Sequence, residues 1–187
     1  QALFELGSSL LIEAGYIQIG FDHFAKKESY LGKSFLDKSL KRNFMGYTDK
    51  KSSCLLGLGS SSISNTSDLF WQNEKDISKY KKSLLEGLSP LKGHELSEAE
   101  KTISLLIQNL MCHYEMNIKD LFEFDNLADF KEEVFDKYDQ MQSDGLLVRD
   151  NFQVKATSLG VKYLRNIAEV IDPKRNKPSQ VKYSSSV

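Results

Sequence analysis

The sequence predicts a mixed α/β chain: an incomplete α/β piece followed by a mostly helical module that carries one β-hairpin. Three observations lead there. A helix, a glycine and a short apolar strand follow one another at residues 2–20. A capped amphipathic helix starts at Ser97. Two β-rich runs, Leu146–Arg149 and Phe152–Lys155, flank the turn pair Asp150–Asn151. Helix alternating with strand is the rhythm of α/β folds, whereas helices around a single hairpin belong to α+β modules.

Taken in order, Leu3, Leu6 and Leu10 recur at helical spacing, and Gly15 stands where a helix ends. Tyr16–Gly20 reads as a strand, residues 22–52 as irregular chain with one helix near 28–40, and Leu55–Gly59 as a second apolar strand running into a small-residue turn. From residue 74 the chain becomes polar and amphipathic, with a helix over 74–87 and a break at Pro90, Gly93 and His94. Ser97 and Glu100 have the spacing of a capping box, opening a helix to about Met116 that buries Ile103, Leu106, Ile107 and Leu110. A helix over 127–143, the hairpin at 146–155 and a last helix to Ile171 follow, ended by Pro173. The domain division expected is 1–72 and 73–172, with a disordered tail over 173–187 rich in Lys, Pro and Ser.

The 187 residues carry a formal net charge of -1, which argues against general nucleic-acid affinity. The two cysteines, Cys54 and Cys112, have no C-x-x-C spacing, so no metal site is predicted, and they read as reduced thiols of a cytoplasmic protein. No apolar run approaches the ~20 residues that span a bilayer, so no membrane partner is expected. The chain opens without Met, in a helical pattern, and is expected to be the interior of a longer protein.

Three segments carry chemistry. Arg42-Asn43-Phe44-Met45-Gly46-Tyr47-Thr48 combines a guanidinium, an amide, aromatic rings and a glycine in one turn. Arg42 suits bidentate pairing with a carboxylate, and Phe44 suits stacking on a purine. The alternative is that Phe44 and Tyr47 are core aromatics. Gly57-Leu58-Gly59-Ser60-Ser61-Ser62-Ile63-Ser64 is a glycine-rich segment after a strand, which serves either to approach a ligand or simply to turn. Gly20-Phe21-Asp22-His23-Phe24-Ala25-Lys26-Lys27 closes the first strand; Asp22 and His23 are expected on opposite faces of it, since neighbours on a strand alternate. Lys26 and Lys27 join Arg42 as candidates for substrate carboxylates.

These segments, with Gln72-Asn73, Leu110-Met111-Cys112, Asp144-Gly145-Leu146 and Arg165-Asn166-Ile167-Ala168 in order after them, resemble the oxygen-independent coproporphyrinogen III oxidases, radical S-adenosylmethionine (SAM) enzymes of haem synthesis. The resemblance covers about residues 1–172. It implies the last elements of a partial (β/α) barrel and a mostly helical C-terminal domain with a winged-helix-like hairpin. It implies oxidative decarboxylation of two propionates of coproporphyrinogen III to vinyl groups, with a [4Fe–4S] cluster and SAM in the whole protein. It places Phe44, Met45 and Ile63 at a second SAM molecule, with Met45 where the family usually has Gln. The family's C-x-x-x-C-x-x-C cluster motif has no counterpart here, so this chain alone is expected to be inactive. A monomer is expected. The alternatives are a winged-helix-like binding module and a degenerate tetrapyrrole-binding relative.

Overall fold

The computed structural model describes residues 2–87, 91–127 and 129–174. In chain order the elements are helix α1 (Ala2–Glu13), strands β1 (Tyr16–Ile19) and β2 (His23–Lys26), helix α2 (Tyr30–Leu36), and strands β3 (Lys41–Asn43), β4 (Gly46–Thr48), β5 (Ile63–Asn65) and β6 (Leu69–Asn73). Helix α3 (Ile77–Leu85), strand β7 (Leu91–Glu95), helix α4 (Glu98–His113), strand β8 (Glu115–Asn117), helix α5 (Phe130–Ser143), strands β9 (Leu147–Asp150) and β10 (Gln153–Ala156), and helix α6 (Leu164–Glu169) complete it. Every sheet is small and antiparallel, with two or three strands. The chain divides into two compact units, residues 1–50 with 102–187, and residues 51–101. The boundary expected at residue 72 falls inside β6, within the second unit.

In the first unit, β1 and β2 form a hairpin around Gly20–Asp22, with Ile19 opposite His23 and Tyr16 opposite Lys26. The expected strand at Tyr16–Gly20 is therefore present, but its partner comes from the segment read as irregular. Ser29 caps α2 by accepting a hydrogen bond from the Gly32 amide. Strands β3 and β4 make a second hairpin of three residues a side, closed by Phe44 and Met45. Strands this short show no period in sequence, which is why the segment read only as irregular chain. Ile19, Ala25, Leu40 and Cys112 form one buried cluster, with Ile17, Leu31, Phe35 and Tyr47 packed on it.

The later part of this unit packs α5 and α6 with the β8–β10–β9 sheet. Val134 and Tyr138 of α5 are buried, as are Leu147, Val154, Leu164 and Ile167. The Tyr138 hydroxyl donates to the Ile167 carbonyl at 3.1 Å, so this buried polar group is satisfied. Asn151 turns the hairpin with φ 52°, a left-handed conformation that Asn tolerates. Thr157 caps the final helical segment by accepting from the Gly160 amide at 3.0 Å. That segment opens as a 3-10 turn, Gly160–Tyr163, before α6.

The second unit contains the β5–β6–β7 sheet and α3, the latter capped by Asp76, which accepts from the Lys79 amide. Two expectations fail here. Leu55–Gly59 is not a strand: Leu55 makes an isolated bridge with Asn65, and regular pairing begins only at Ile63. Gly93 and His94 do not break the chain but sit in β7, opposite Trp71 and Phe70; an edge strand tolerates glycine because it packs only one neighbour. The capping box is present, with the Ser97 amide donating to Glu100 Oε2 at 2.9 Å and the Glu100 amide to Ser97 Oγ at 3.3 Å. Pro90 and the tail beyond residue 174 lie outside the described residues.

Candidate functional site

The β1–β2 and β3–β4 hairpins of the first unit bring their chemistry together on Tyr47. In β4, Tyr47 stands directly opposite Arg42 of β3, so both side chains leave the same face of the ladder. The Arg42 guanidinium carbon lies 5.5 Å from the Tyr47 ring centre, within cation–π range. The His23 ring meets the same ring edge-on, with centroids 4.9 Å apart and planes at 76°. The Tyr47 hydroxyl donates to the Met111 carbonyl at 3.1 Å. Burial raises the Tyr47 phenol to about 12, against the opposing pull of Arg42. It is thus a neutral donor under ordinary conditions.

Gly20 makes this arrangement possible. Its φ is 60°, and a Cβ there would lie 1.8 Å from the Tyr47 hydroxyl oxygen. Glycine is required by the backbone conformation and by the close approach together. The Gly20 carbonyl accepts from the Tyr114 hydroxyl at 3.1 Å, so a second tyrosine pins the β1–β2 turn. Burial moves the Tyr114 phenol upward as well, and raises the Cys112 thiol to about 12.

Asp22 and His23 are not on opposite faces. His23 Nδ1 and Asp22 Oδ1 are 2.6 Å apart. Strand alternation does not apply, because Asp22 belongs to the turn and only His23 enters the strand. With Nδ1 engaged by the carboxylate, Nε2 is the nitrogen that faces the β3–β4 tip: a Cβ on Gly46 would stand 3.8 Å from it.

At that tip Gly46 has φ 119°, and the Asn43 side chain accepts from the Met45 amide at 2.8 Å. Phe44 is 54% exposed and Met45 85%, so neither is a core residue. The tip presents an aromatic ring and a thioether beside the Arg42–Tyr47 stack. Lys26 is placed elsewhere. Its ammonium lies 5.7 Å from the Tyr16 ring centre, at the open end of the first hairpin. It is three residues along the strand from His23, or about 10 Å. Lys27 is exposed next to it. Of the three cations proposed for carboxylates, only Arg42 joins the cluster.

Ile63 opens β5 in the second unit, half-buried opposite Gln72. The glycine-rich segment before it is tied to its own sheet. The Asn73 side-chain amide donates to the Gly59 carbonyl at 2.8 Å and the Gln72 side-chain amide to the Ser61 carbonyl at 2.8 Å, while the buried Ser64 hydroxyl accepts from the Gly57 backbone amide at 2.9 Å. A Cβ on Gly57 would lie 2.7 Å from the Ile63 carbonyl oxygen. Reading the sequence missed Tyr47 as the platform and His23 as its neighbour; Arg42-x4-Tyr47 with Gly46 just before the tyrosine was the available hint, since it is hairpin spacing.

No family model matches the chain. A solved structure described as coproporphyrinogen III oxidase from Escherichia coli, a radical SAM enzyme, superposes with a TM-score of 0.81 and 28% identity, over 91% of this chain and 40% of that one. By fold, then, the chain is similar to a part of a radical SAM protein. In sequence it is 34% identical over 185 residues to the oxygen-independent coproporphyrinogen III oxidase of Synechocystis sp., covering 95% of this chain and 40% of that protein. It is 36% identical over 166 residues to the Pseudomonas aeruginosa protein of the same name, covering 87% and 36%. The chain is thus similar to the oxygen-independent coproporphyrinogen III oxidases, and it spans about two fifths of the length of the relatives it matches.

The chain's residues do not fit an iron–sulfur cluster of that family's kind. Three thiolates in one motif are needed, and the sequence has two cysteines, one exposed in the second unit and one buried in the first. Among the described residues no group of three His, Cys, Asp or Glu could hold a metal ion.

Proposed function

We propose that this chain is the C-terminal segment of an oxygen-independent coproporphyrinogen III oxidase: the last elements of the partial barrel, then a helical domain with a winged-helix-like hairpin. The whole protein converts propionates of coproporphyrinogen III to vinyl groups, giving protoporphyrinogen IX, as a cytoplasmic monomer. Cluster and SAM chemistry would be supplied by the rest of that protein, and this segment alone is inactive. Its own residues bind and orient. Arg42 takes a propionate carboxylate through its planar fork of donors. Phe44 stacks on the adenine of a SAM molecule, with Met45 as a further contact. Met45 offers a soft apolar contact where an amide would offer hydrogen bonds.

The observation that carries this reading is the β3–β4 tip, where an exposed aromatic ring adjoins a guanidinium seated on Tyr47. No helix among the described residues is long and apolar enough to cross a membrane. The DNA-binding alternative is disfavoured by exposed Asp129, Glu132, Glu133 and Asp136 on and beside α5, which would repel phosphates.

Equilibrium binding of SAM to the chain tests the proposal. Phe44→Ala is expected to weaken binding by about 1–3 kcal/mol, the range for a base stacked on an aromatic, with an unchanged melting temperature. A variant that melts early and binds normally would refute the site.

A further inference from the structure

His23 is absorbed by neither reading above, yet its geometry is that of an oriented ligand contact. Its Nδ1 is 2.6 Å from the Asp22 carboxylate. A carboxylate on one ring nitrogen fixes the tautomer, with the proton on Nδ1 and a lone pair on Nε2. The ring orientation is fixed a second time by its edge contact with Tyr47 at 4.9 Å. Tyr47 in turn is held by its bond to Met111 and by the absence of a side chain on Gly20. The nitrogen left over faces the Cα of Gly46, where a Cβ would be 3.8 Å away, and the His23 side chain is 46% exposed. An accessible acceptor, oriented from two sides, stands beside the Phe44–Gly46 turn. On the same tyrosine ring sits Arg42, a donor with permanent positive charge.

We propose that His23 and Arg42 form one two-point receptor, in which Arg42 binds a carboxylate and His23 Nε2 accepts a hydrogen bond from an N–H group of the same ligand. The inference rests on the proposed function for its ligands, and two of them carry this pair of groups. SAM has an α-carboxylate and an α-ammonium. The reduced tetrapyrrole has propionates and pyrrole N–H groups. A molecule with only one of the two groups engages half of the receptor.

The test measures dissociation constants of the purified chain for S-adenosylhomocysteine and, under anaerobic reduction, for coproporphyrinogen III. Parent, His23→Leu, His23→Gln, Arg42→Gln and the double variant His23→Leu/Arg42→Gln are compared. For at least one probe, His23→Leu is expected to weaken binding about tenfold, the worth of one hydrogen bond whose partner is left unpaired. His23→Gln, whose amide reaches the Nε2 position, is expected to stay within threefold of the parent. The double variant should lose less than the product of the single losses, because the two residues grip one ligand. The probe that responds identifies the source of the carboxylate and the N–H group. A parent that binds either probe with His23→Leu equal to it overturns the receptor and leaves the proposed function standing. A parent that binds neither overturns both. Unchanged melting of His23→Leu separates lost contact from lost fold, and a His23→Gln as weak as His23→Leu, with both folded, also counts against the proposal.

Discussion

The hydroxyl of Tyr47 occupies the space that any side chain on Gly20 would need: a Cβ there would lie 1.8 Å from the oxygen and 2.2 Å from the ring carbon bearing it. The first hairpin turn and the second hairpin are thereby locked together by a missing atom. Gly20→Ala is expected to destabilise the chain by about 2–4 kcal/mol, combining left-handed strain with steric overlap. Tyr47→Phe, which loses the hydroxyl and its bond to Met111, should cost about 1 kcal/mol. Urea unfolding of both variants checks the order, and equal stabilities would deny the close approach.

Alkaline pH should weaken the fold in a defined window. Tyr47 and Cys112 are both raised to about 12 by burial, from ordinary values of 10.0 and 9.0. Between the unfolded and folded values the unfolded chain holds fewer protons, so stability falls as pH rises. The contribution is fully present below pH 9 and is lost progressively toward pH 12. Urea midpoints at pH 8 and pH 11 test this, and Tyr47→Phe/Cys112→Ala should flatten the decline. A midpoint that rises over that range would contradict the sign.

The two thiols should separate kinetically. Cys54 is exposed, whereas Cys112 is fully buried and its thiol is pushed up to about 12. A disulfide reagent at pH 8 is expected to titrate one thiol per chain quickly and the second only on unfolding. Cys54→Ser should abolish the fast phase, and rapid modification of both would show that the first unit opens readily.

Lys131 sits among three phenylalanines, its ammonium 5.8, 5.5 and 5.1 Å from the ring centres of Phe122, Phe135 and Phe152. Arg149 covers Phe135 from 4.5 Å. Lys131→Met keeps the stem and removes the charge, and is expected to cost about 1 kcal/mol. Thermal melting at low and high salt checks this, and a variant as stable as the parent would reduce the cluster to apolar packing.

How much of this was legible depended on the range of the interactions. The Ser97–Glu100 box and the helical spacing of Leu106 and Leu110 are local, and the structure has both. The hairpin is local too, but its turn lies one position later than expected, at Asn151–Phe152, with Asp150 paired to Gln153. The Arg42–Thr48 segment was legible as chemistry but not as shape, because three-residue strands carry no period. The platform itself joins residues far apart in sequence. Tyr47 reaches Met111 across 64 positions and Tyr114 reaches Gly20 across 94. No local pattern encodes such pairs. Leu55–Gly59 misled because apolar residues mimic a strand, while Gly57 and Gly59 are spent on close approach and a positive φ. His23 was underrated because a rule for strands was applied to a residue at the start of one.

The proposed function assigns this chain the work of the corresponding part of a coproporphyrinogen III oxidase. Its most direct test is replacement. The matching two fifths of the Synechocystis sp. relative, which is 34% identical, is exchanged for this chain, and anaerobic conversion of coproporphyrinogen III is followed by product fluorescence after oxidation. Turnover by the chimera is expected, with at least a tenfold loss on Phe44→Ala while cluster content and melting stay unchanged. A folded chimera with a full cluster and no conversion, or one indifferent to Phe44→Ala, would contradict it.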